Sequence, residues 1–178
     1  GITLSRLEVQ LRPFHQRLLD ELSVTRVLEN HRNLLGAASG TGKTVMAAVD
    51  YAQLRKEMPR DRLLFVAHRS EILDQSQRIF QEVLRDSSFG ERWVGGARPS
   101  RFEHVFASIQ SLAASGVTQI NPTHFDFVIV DEFHHAAAPS YASLLGHLEP
   151  TELVGLTATP ERADGLGILR FFDDRIAA

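Results

Sequence analysis

The sequence predicts an α/β fold, a central and mostly parallel β-sheet flanked by helices, as a single domain spanning residues 1–178. Three observations carry that reading. Short apolar runs alternate with amphipathic stretches, the rhythm of βαβ units feeding a parallel sheet. The run Phe127–Val130 is apolar on both faces, as a strand deep inside such a sheet must be. With 178 residues, 43% of them hydrophobic and 23% charged, the chain matches the common size and composition of one globular domain.

The elements follow in order. Pro13 suits a first helical turn, and Phe14, Leu18, Leu19, Leu22 and Val27 recur at mostly helical spacing, so a helix is expected from Pro13 to about His31. Asn33–Ala38 reads as the first strand, Lys43–Lys56 as a helix, Arg62–Ala67 as a second strand and Ser70–Leu84 as another helix. Between Asp86 and Arg101 the pattern dissolves into Ser, Gly, Pro and Arg, an expected loop with one short strand around Trp93-Val94. Three further strands are expected at His104–Ala107, Phe127–Val130 and Leu153–Leu156. The end, Arg175-Ile176-Ala177-Ala178, has neither a polar tail nor a helix stop, which reads as a piece of something longer.

Composition removes several chemistries. There is no cysteine, so disulfides, thiolate zinc sites and thiol redox chemistry are excluded. No stretch reaches the roughly 18 to 20 consecutive apolar residues of a membrane span, and no basic segment precedes an apolar signal core, so the expected location is cytoplasmic. The formal charge of -3 does not announce a nucleic-acid binder. It does not exclude one, because a strand can be gripped through backbone N–H groups and hydroxyls.

Ala37-Ala38-Ser39-Gly40-Thr41-Gly42-Lys43-Thr44 lies between an apolar strand and a helical pattern, the context that a phosphate-binding loop requires. Gly40 and Gly42 allow a tight backbone whose N–H groups, with those of Ser39 and Thr41, point inward, and the following helix offers its positive end to the same oxygens. Lys43 can then reach the β- and γ-phosphates of ATP, and the Thr44 hydroxyl can hold Mg2+. The usual pattern opens on Gly where this chain has Ala37.

Asp131 and Glu132 directly follow the buried run Phe127–Val130, at the sheet edge where parallel α/β folds bind ligands. Neighbouring residues of an extended chain point in different directions, so the two carboxylates are expected to divide the work. Asp131 would hold the magnesium shell, and Glu132 would orient and deprotonate an attacking water. A zinc site on His134 and His135 lacks a third ligand at suitable spacing.

Asp131-Glu132-Phe133-His134 forms a DExH box, and with Leu156-Thr157-Ala158-Thr159-Pro160 and the phosphate loop it resembles the DExH-type helicases of superfamily two. Further segments carry the likeness in the same order: Arg12-Pro13-Phe14-His15-Gln16, then residues 65–76, 107–112, 128–136 and 156–165. The last two look like the bacterial restriction-type and repair-type group, the type III restriction enzyme res subunit among them. Larger members of that group carry a phospholipase-D-like nuclease domain.

The resemblance implies a RecA-like P-loop lobe that binds ATP and Mg2+ and acts on DNA rather than RNA. It also implies that Gln16 reads adenine, although His15 intervenes where the glutamine usually follows the aromatic. Arg69, Gln75, Ser108 and Gln110 become candidates for strand contacts, Thr157 and Thr159 for coupling nucleotide state to strand binding, and His134 for linking the carboxylates to that motif. Members of this superfamily complete the ATP site with arginines from a second lobe, which is expected to lie outside these 178 residues. The competing readings are a small P-loop phosphotransferase and a non-catalytic nucleotide-binding module.

Overall fold

The computed structural model describes residues 13–36, 41–133, 135–158 and 165–177, with the side chains of residues 13–15, 41 and 177 left aside. Seven strands form one sheet in the order β3-β4-β2-β5-β6-β1-β7, and every adjacent pair is parallel. They are β1 (Arg32–Gly36), β2 (Leu63–Ala67), β3 (Glu91–Trp93), β4 (His104–Ser108), β5 (Phe127–Asp131), β6 (Glu152–Thr157) and β7 (Asp174–Ala177). The helices are α1 (Pro13–Val27), α2 (Thr41–Leu54), α3 (Ser70–Leu84), α4 (Ile109–Ser115) and α5 (Ala138–His147). None of the described helices is long and apolar enough to cross a membrane.

Strand alternation sorts the core into two layers. Leu63, Phe65, Phe127, Ile129, Val154 and Leu156 face α1, α2 and α3 in one cluster. Leu64, Val66, Val105, Val128, Val130 and Leu153 face α4 and α5 in the other. β2, β5 and β6 are buried along their whole length, which explains why their sequences read as continuous apolar runs. α3 buries Leu73, Ser76, Ile79, Phe80 and Val83, a stripe at helical spacing, and closes on Arg85 in the left-handed conformation (φ 54°).

Several boundaries differ from the sequence reading. α1 ends at Val27 rather than near His31, because Glu29 turns left-handed (φ 68°) and the Asn30 N–H bonds back to the Thr25 carbonyl at 3.0 Å. β1 stops at Gly36 within the described residues. α4, α5 and β7 were not expected. α4 is short and begins from a Ser108 cap, α5 carries Pro139 in its first turn, and the four residues of β7 become a strand through pairing with β1.

Candidate nucleotide and strand-binding site

The sheet order makes β5, β6 and β1 consecutive neighbours, so the loops after them open at one edge. The register is level there: Gly36 pairs with Thr157, and Asp131 pairs with Leu156. Lys43 and Thr44 lie in the first turn of α2, which follows β1. Lys43, Thr44, Asp131 and Thr157 are 3–6% exposed, polar groups buried at a strand edge where apolar residues would otherwise close the core. Ser39 and Gly40 of the phosphate loop lie outside the described residues, as do His134 and Thr159. Thr41 and Gly42 open α2.

Asp131 continues the Phe127 and Ile129 side of β5, the face covered by α2, and its carboxylate therefore meets Lys43. The Lys43 ammonium is 3.0 Å from Asp131 Oδ1 and donates to Glu132 Oε1 at 2.7 Å. Alternation alone would have sent Glu132 elsewhere, as the sequence reading expected. Instead Glu132 takes a left-handed backbone (φ 60°), uncommon for a residue with a side chain, which turns its carboxylate back to the same ammonium. Bonds on every side hold that conformation. The Glu132 N–H donates to the Leu156 carbonyl at 2.8 Å, Glu132 Oε1 accepts from the Ala158 N–H at 2.6 Å, and Oε2 accepts from Thr157 Oγ1 at 3.2 Å. Strain of this kind gathers at functional positions.

Burial works against the Lys43 ammonium, but the charges of Asp131 and Glu132 outweigh it and hold its pKa above the ordinary lysine value. Burial pushes the Asp131 carboxyl up, Lys43 offsets part of that rise, and Glu132 adds to it. Asp131 Oδ1 is fully buried, and the cation that meets it is the Lys43 ammonium at 3.0 Å. A buried carboxylate oxygen matched to a cation rather than to N–H donors suits a metal ligand. Among the described residues no group of three His, Asp or Glu side chains could hold a metal by itself. A divalent ion would therefore rest on Asp131 and Thr44 together with phosphate oxygens.

The remaining candidates divide. α1 ends with Thr25 bonded to Asp174 and Arg26 to Glu152, the first residues of β7 and β6, so its beginning points toward the opposite, carboxyl edge of the sheet. Gln16 is exposed in the first turn of α1, its amide donating to Asp20 at 3.0 Å. Ala67 pairs with both Ser108 and Asp131, which brings the ends of β2 and β4 level with the acidic pair. An open groove of about 470 Å³ lies there, lined by His68, Ser70, Trp93, Ser108, Gln110 and Ser111 among others. The Ser108 hydroxyl is engaged in capping α4, bonded to the Ser111 N–H and hydroxyl, while the Gln110 amide lies 2.9 Å from His68 Nδ1. Arg69 and Gln75 are exposed on α3 and its approach but are not among the groove's lining residues.

Residues 8–162 match the family described as "Type III restriction enzyme, res subunit". The chain belongs to that family. Its lobe is the RecA-like one of superfamily-two helicases. A Schizosaccharomyces pombe protein named "Putative mitochondrial ATP-dependent helicase irc3" is 31% identical over 178 residues, covering 95% of this chain and 29% of the relative. The UvsW helicase of bacteriophage T4 superposes with a TM-score of 0.69 at 16% identity, over 83% of this chain and 55% of that one. The Sulfolobus solfataricus SWI2/SNF2 ATPase core, solved in complex with double-stranded DNA, gives 0.69 at 13% identity over 92% and 36%. The chain thus spans under a third of the curated relative.

In this res-subunit lobe, two features escaped the sequence. One is the left-handed Glu132, which no local residue preference signals. The other is Tyr141 of α5, fully buried with an unbonded hydroxyl and its ring 5.4 Å from that of Phe133. Burial, with the charges of Asp131 and Glu132 adding, raises its pKa. Arg170, a basic residue near the end of the chain, bonds the Gly167 carbonyl and lies over the Phe171 ring, 4.4 Å from its centre.

Proposed function

We propose that this lobe is the first half of an ATP-driven DNA helicase or translocase, binding Mg-ATP at the Lys43, Thr44, Asp131 and Glu132 cluster and hydrolysing it when joined to a second lobe. The carrying observation is the Lys43 ammonium held between two consecutive carboxylates at the end of β5. A cation gripped by acids on a helix's first turn is poised to exchange them for phosphate oxygens. The names of relatives support ATP as the fuel, and the DNA-bound neighbour supports DNA as the track.

The steps follow from these residues. Lys43 leaves Glu132 for the β- and γ-phosphates, which frees the Glu132 carboxylate to accept a proton from water attacking the γ-phosphorus. The bond to the bridging oxygen breaks, and ADP departs with its electron pair. Magnesium, held by Asp131 and Thr44, would neutralise charge developing on the phosphate oxygens. Gln16, in the first turn of α1, would meet the base if it gives up its bond to Asp20. Because Thr157 and the Ala158 N–H hold Glu132, a change in its position is felt at the end of β6.

Phosphate release tests the reading, with and without single-stranded DNA, in the 178-residue chain and in the protein that joins it to a second lobe. The chain alone should turn over poorly. The joined protein should be faster by roughly 10³ to 10⁵, the value of an arginine supplied from outside the P-loop lobe in related enzymes, and DNA should stimulate it. Phosphate transferred to an acceptor other than water would favour a phosphotransferase.

A further inference from the structure

Beside the groove at the ends of β2 and β4, residues 94–103 form a loop whose construction exceeds what a connection needs. Glu91 in β3 holds its far end. One carboxylate oxygen accepts from the Ser100 N–H at 2.8 Å and the Ser100 hydroxyl at 3.0 Å, while the other accepts from the Phe102 N–H at 2.9 Å. The Arg101 N–H bonds to the same carboxylate at 3.1 Å. Burial alone would raise the Glu91 pKa, and these bonds outweigh it and bring it down. The near end is a tight turn, with the Ala97 N–H on the Val94 carbonyl at 3.0 Å and Gly95 at φ 58°. Pro99 is buried between the two ends.

Phe102 takes a left-handed backbone (φ 57°), an unusual conformation for so bulky a residue. Its ring meets Trp93 edge-on at 5.4 Å. Both rings flank Arg98, whose guanidinium carbon is 5.0 Å from the Trp93 centroid and 5.9 Å from the Phe102 centroid. Trp93 is 4% exposed and lines the groove, whereas Arg98 is exposed. The neighbouring arginines are neutralised. Arg92 bonds Asp74 and Gln77, and Arg101 is 3.5 Å from Glu103. Among the described residues Arg98 has no carboxylate partner.

We propose that this clamped loop presents Arg98 as a phosphate-binding cation at the rim of the groove, contacting the sugar-phosphate backbone of a single strand. An arginine stacked on aromatic rings keeps its donors free and loses little freedom when it binds, the arrangement that suits phosphate recognition. The strain at Phe102 and the four groups converging on Glu91 fix the position of a charge that nothing in the fold needs. Beside Trp93, Arg98 would add a charge to a groove whose polar lining is four serines, one glutamine and one histidine. The inference rests on the strand-binding reading of that groove.

Fluorescence anisotropy of labelled dT20 with the whole chain, repeated across a salt series, tests it. Each phosphate contact to a single strand contributes about 0.7 to the slope of log affinity against log salt. Arg98→Ala should weaken binding several-fold and flatten that slope by about 0.7. Lys56→Ala removes the same charge in the turn after α2 and should leave both unchanged. Trp93, the chain's single tryptophan, gives a second readout, since its emission should respond to dT20 in the wild type and lose much of that response in Arg98→Ala. Unaltered melting would show that the variant is folded. If the wild type binds and Arg98→Ala matches it in affinity, slope and emission, the role assigned to Arg98 is overturned and the groove stands. If the wild type does not bind dT20 at low salt, the strand-binding reading fails and Arg98 with it.

Discussion

The Lys43 ammonium donates to Glu132 Oε1 at 2.7 Å, which joins the proposed phosphate-binding cation to the proposed water-activating base. Neither group can perform its task while the pair is intact, so nucleotide must displace it. Glu132→Gln weakens the hold on Lys43 and removes the proton acceptor while preserving size and hydrogen-bonding capacity. Nucleotide affinity should stay the same or tighten a few-fold, and phosphate release in the two-lobed protein should drop by about 10² or more, the usual worth of a general base. Normal turnover would assign the water to another group.

Lys43→Ala separates binding from chemistry in the other direction. Charge-assisted contacts of this kind contribute about 1.5 to 3 kcal/mol, so affinity for Mg-ATP should fall by one to two decades. The change also strands Asp131 in a buried position without its counter-charge, and its carboxyl should rise further above its ordinary pKa. Titration calorimetry with a non-hydrolysable nucleotide measures the first effect, and unchanged affinity would remove Lys43 from the site.

The strands and helices that pack through long periodic runs were legible in the sequence: β2, β5 and β6 as apolar stretches, α2 and α3 as amphipathic ones. That Asp131 and Glu132 end a buried strand was legible from the apolar run before them, whereas residues 37–40 of the expected phosphate loop lie outside the described residues. What was not legible depends on distant partners. β7 has Ile176 as its one large apolar residue and is ordered by pairing with β1. Glu132 is turned by bonds from Leu156, Thr157 and Ala158, which are 24 to 26 positions away in the chain. The segment around Arg98 looks like an irregular linker, because the Glu91 clamp that shapes it joins residues 9 to 11 positions apart with no periodic pattern between them.

Gly155 occupies the middle of β6, two residues before Thr157. A Cβ there would lie 2.8 Å from Phe172 Cζ and 2.9 Å from Leu34 Cδ1, closer than real contacts permit. Leu34 is fully buried and has little room to yield. Gly155→Ala should therefore destabilise the lobe by about 1 to 3 kcal/mol, the range for overpacking, and displacement of β6 should also loosen the Thr157 and Ala158 contacts to Glu132. Urea unfolding checks the first effect, and a wild-type midpoint would show that Phe172 moves aside at little cost.

At the opposite edge of the sheet, Arg26 bonds Asp50 at 2.6 Å and Glu152 at 2.7 Å, and all three side chains are less than 10% exposed. This triad fastens α1 to α2 and to the start of β6. Arg26→Ala leaves two acids buried without their cation, a change that typically costs about 3 to 5 kcal/mol. Equilibrium denaturation of the variant near neutral pH measures the loss, and a shift below about 1 kcal/mol would mean that water replaces the guanidinium.

The same cluster makes stability depend on pH through His31, whose Nδ1 is 2.5 Å from Glu152 Oε2 and whose Nε2 is 3.2 Å from Glu29. Arg26, and Asp50 beyond it, are linked to His31 through Glu152. Burial opposes protonation of His31, but Glu29 and Glu152 outweigh it and raise its pKa above 6.5. The folded state therefore binds this proton more tightly than the unfolded chain does. Its contribution is fully present below about pH 6.5 and is lost as pH rises through the raised folded value. Glu152 acts in the same sense from lower pH, since burial lifts its carboxyl above the ordinary value against the pull of Arg26 and His31. Urea midpoints of the wild-type chain should decline as pH rises above about 6.5, by well under the energy of a buried pair because His31 is 39% exposed. His31→Gln keeps a donor near Glu152 but cannot titrate, so its midpoints should be flat over the same rise. Parallel declines in both proteins would place the pH dependence on another group.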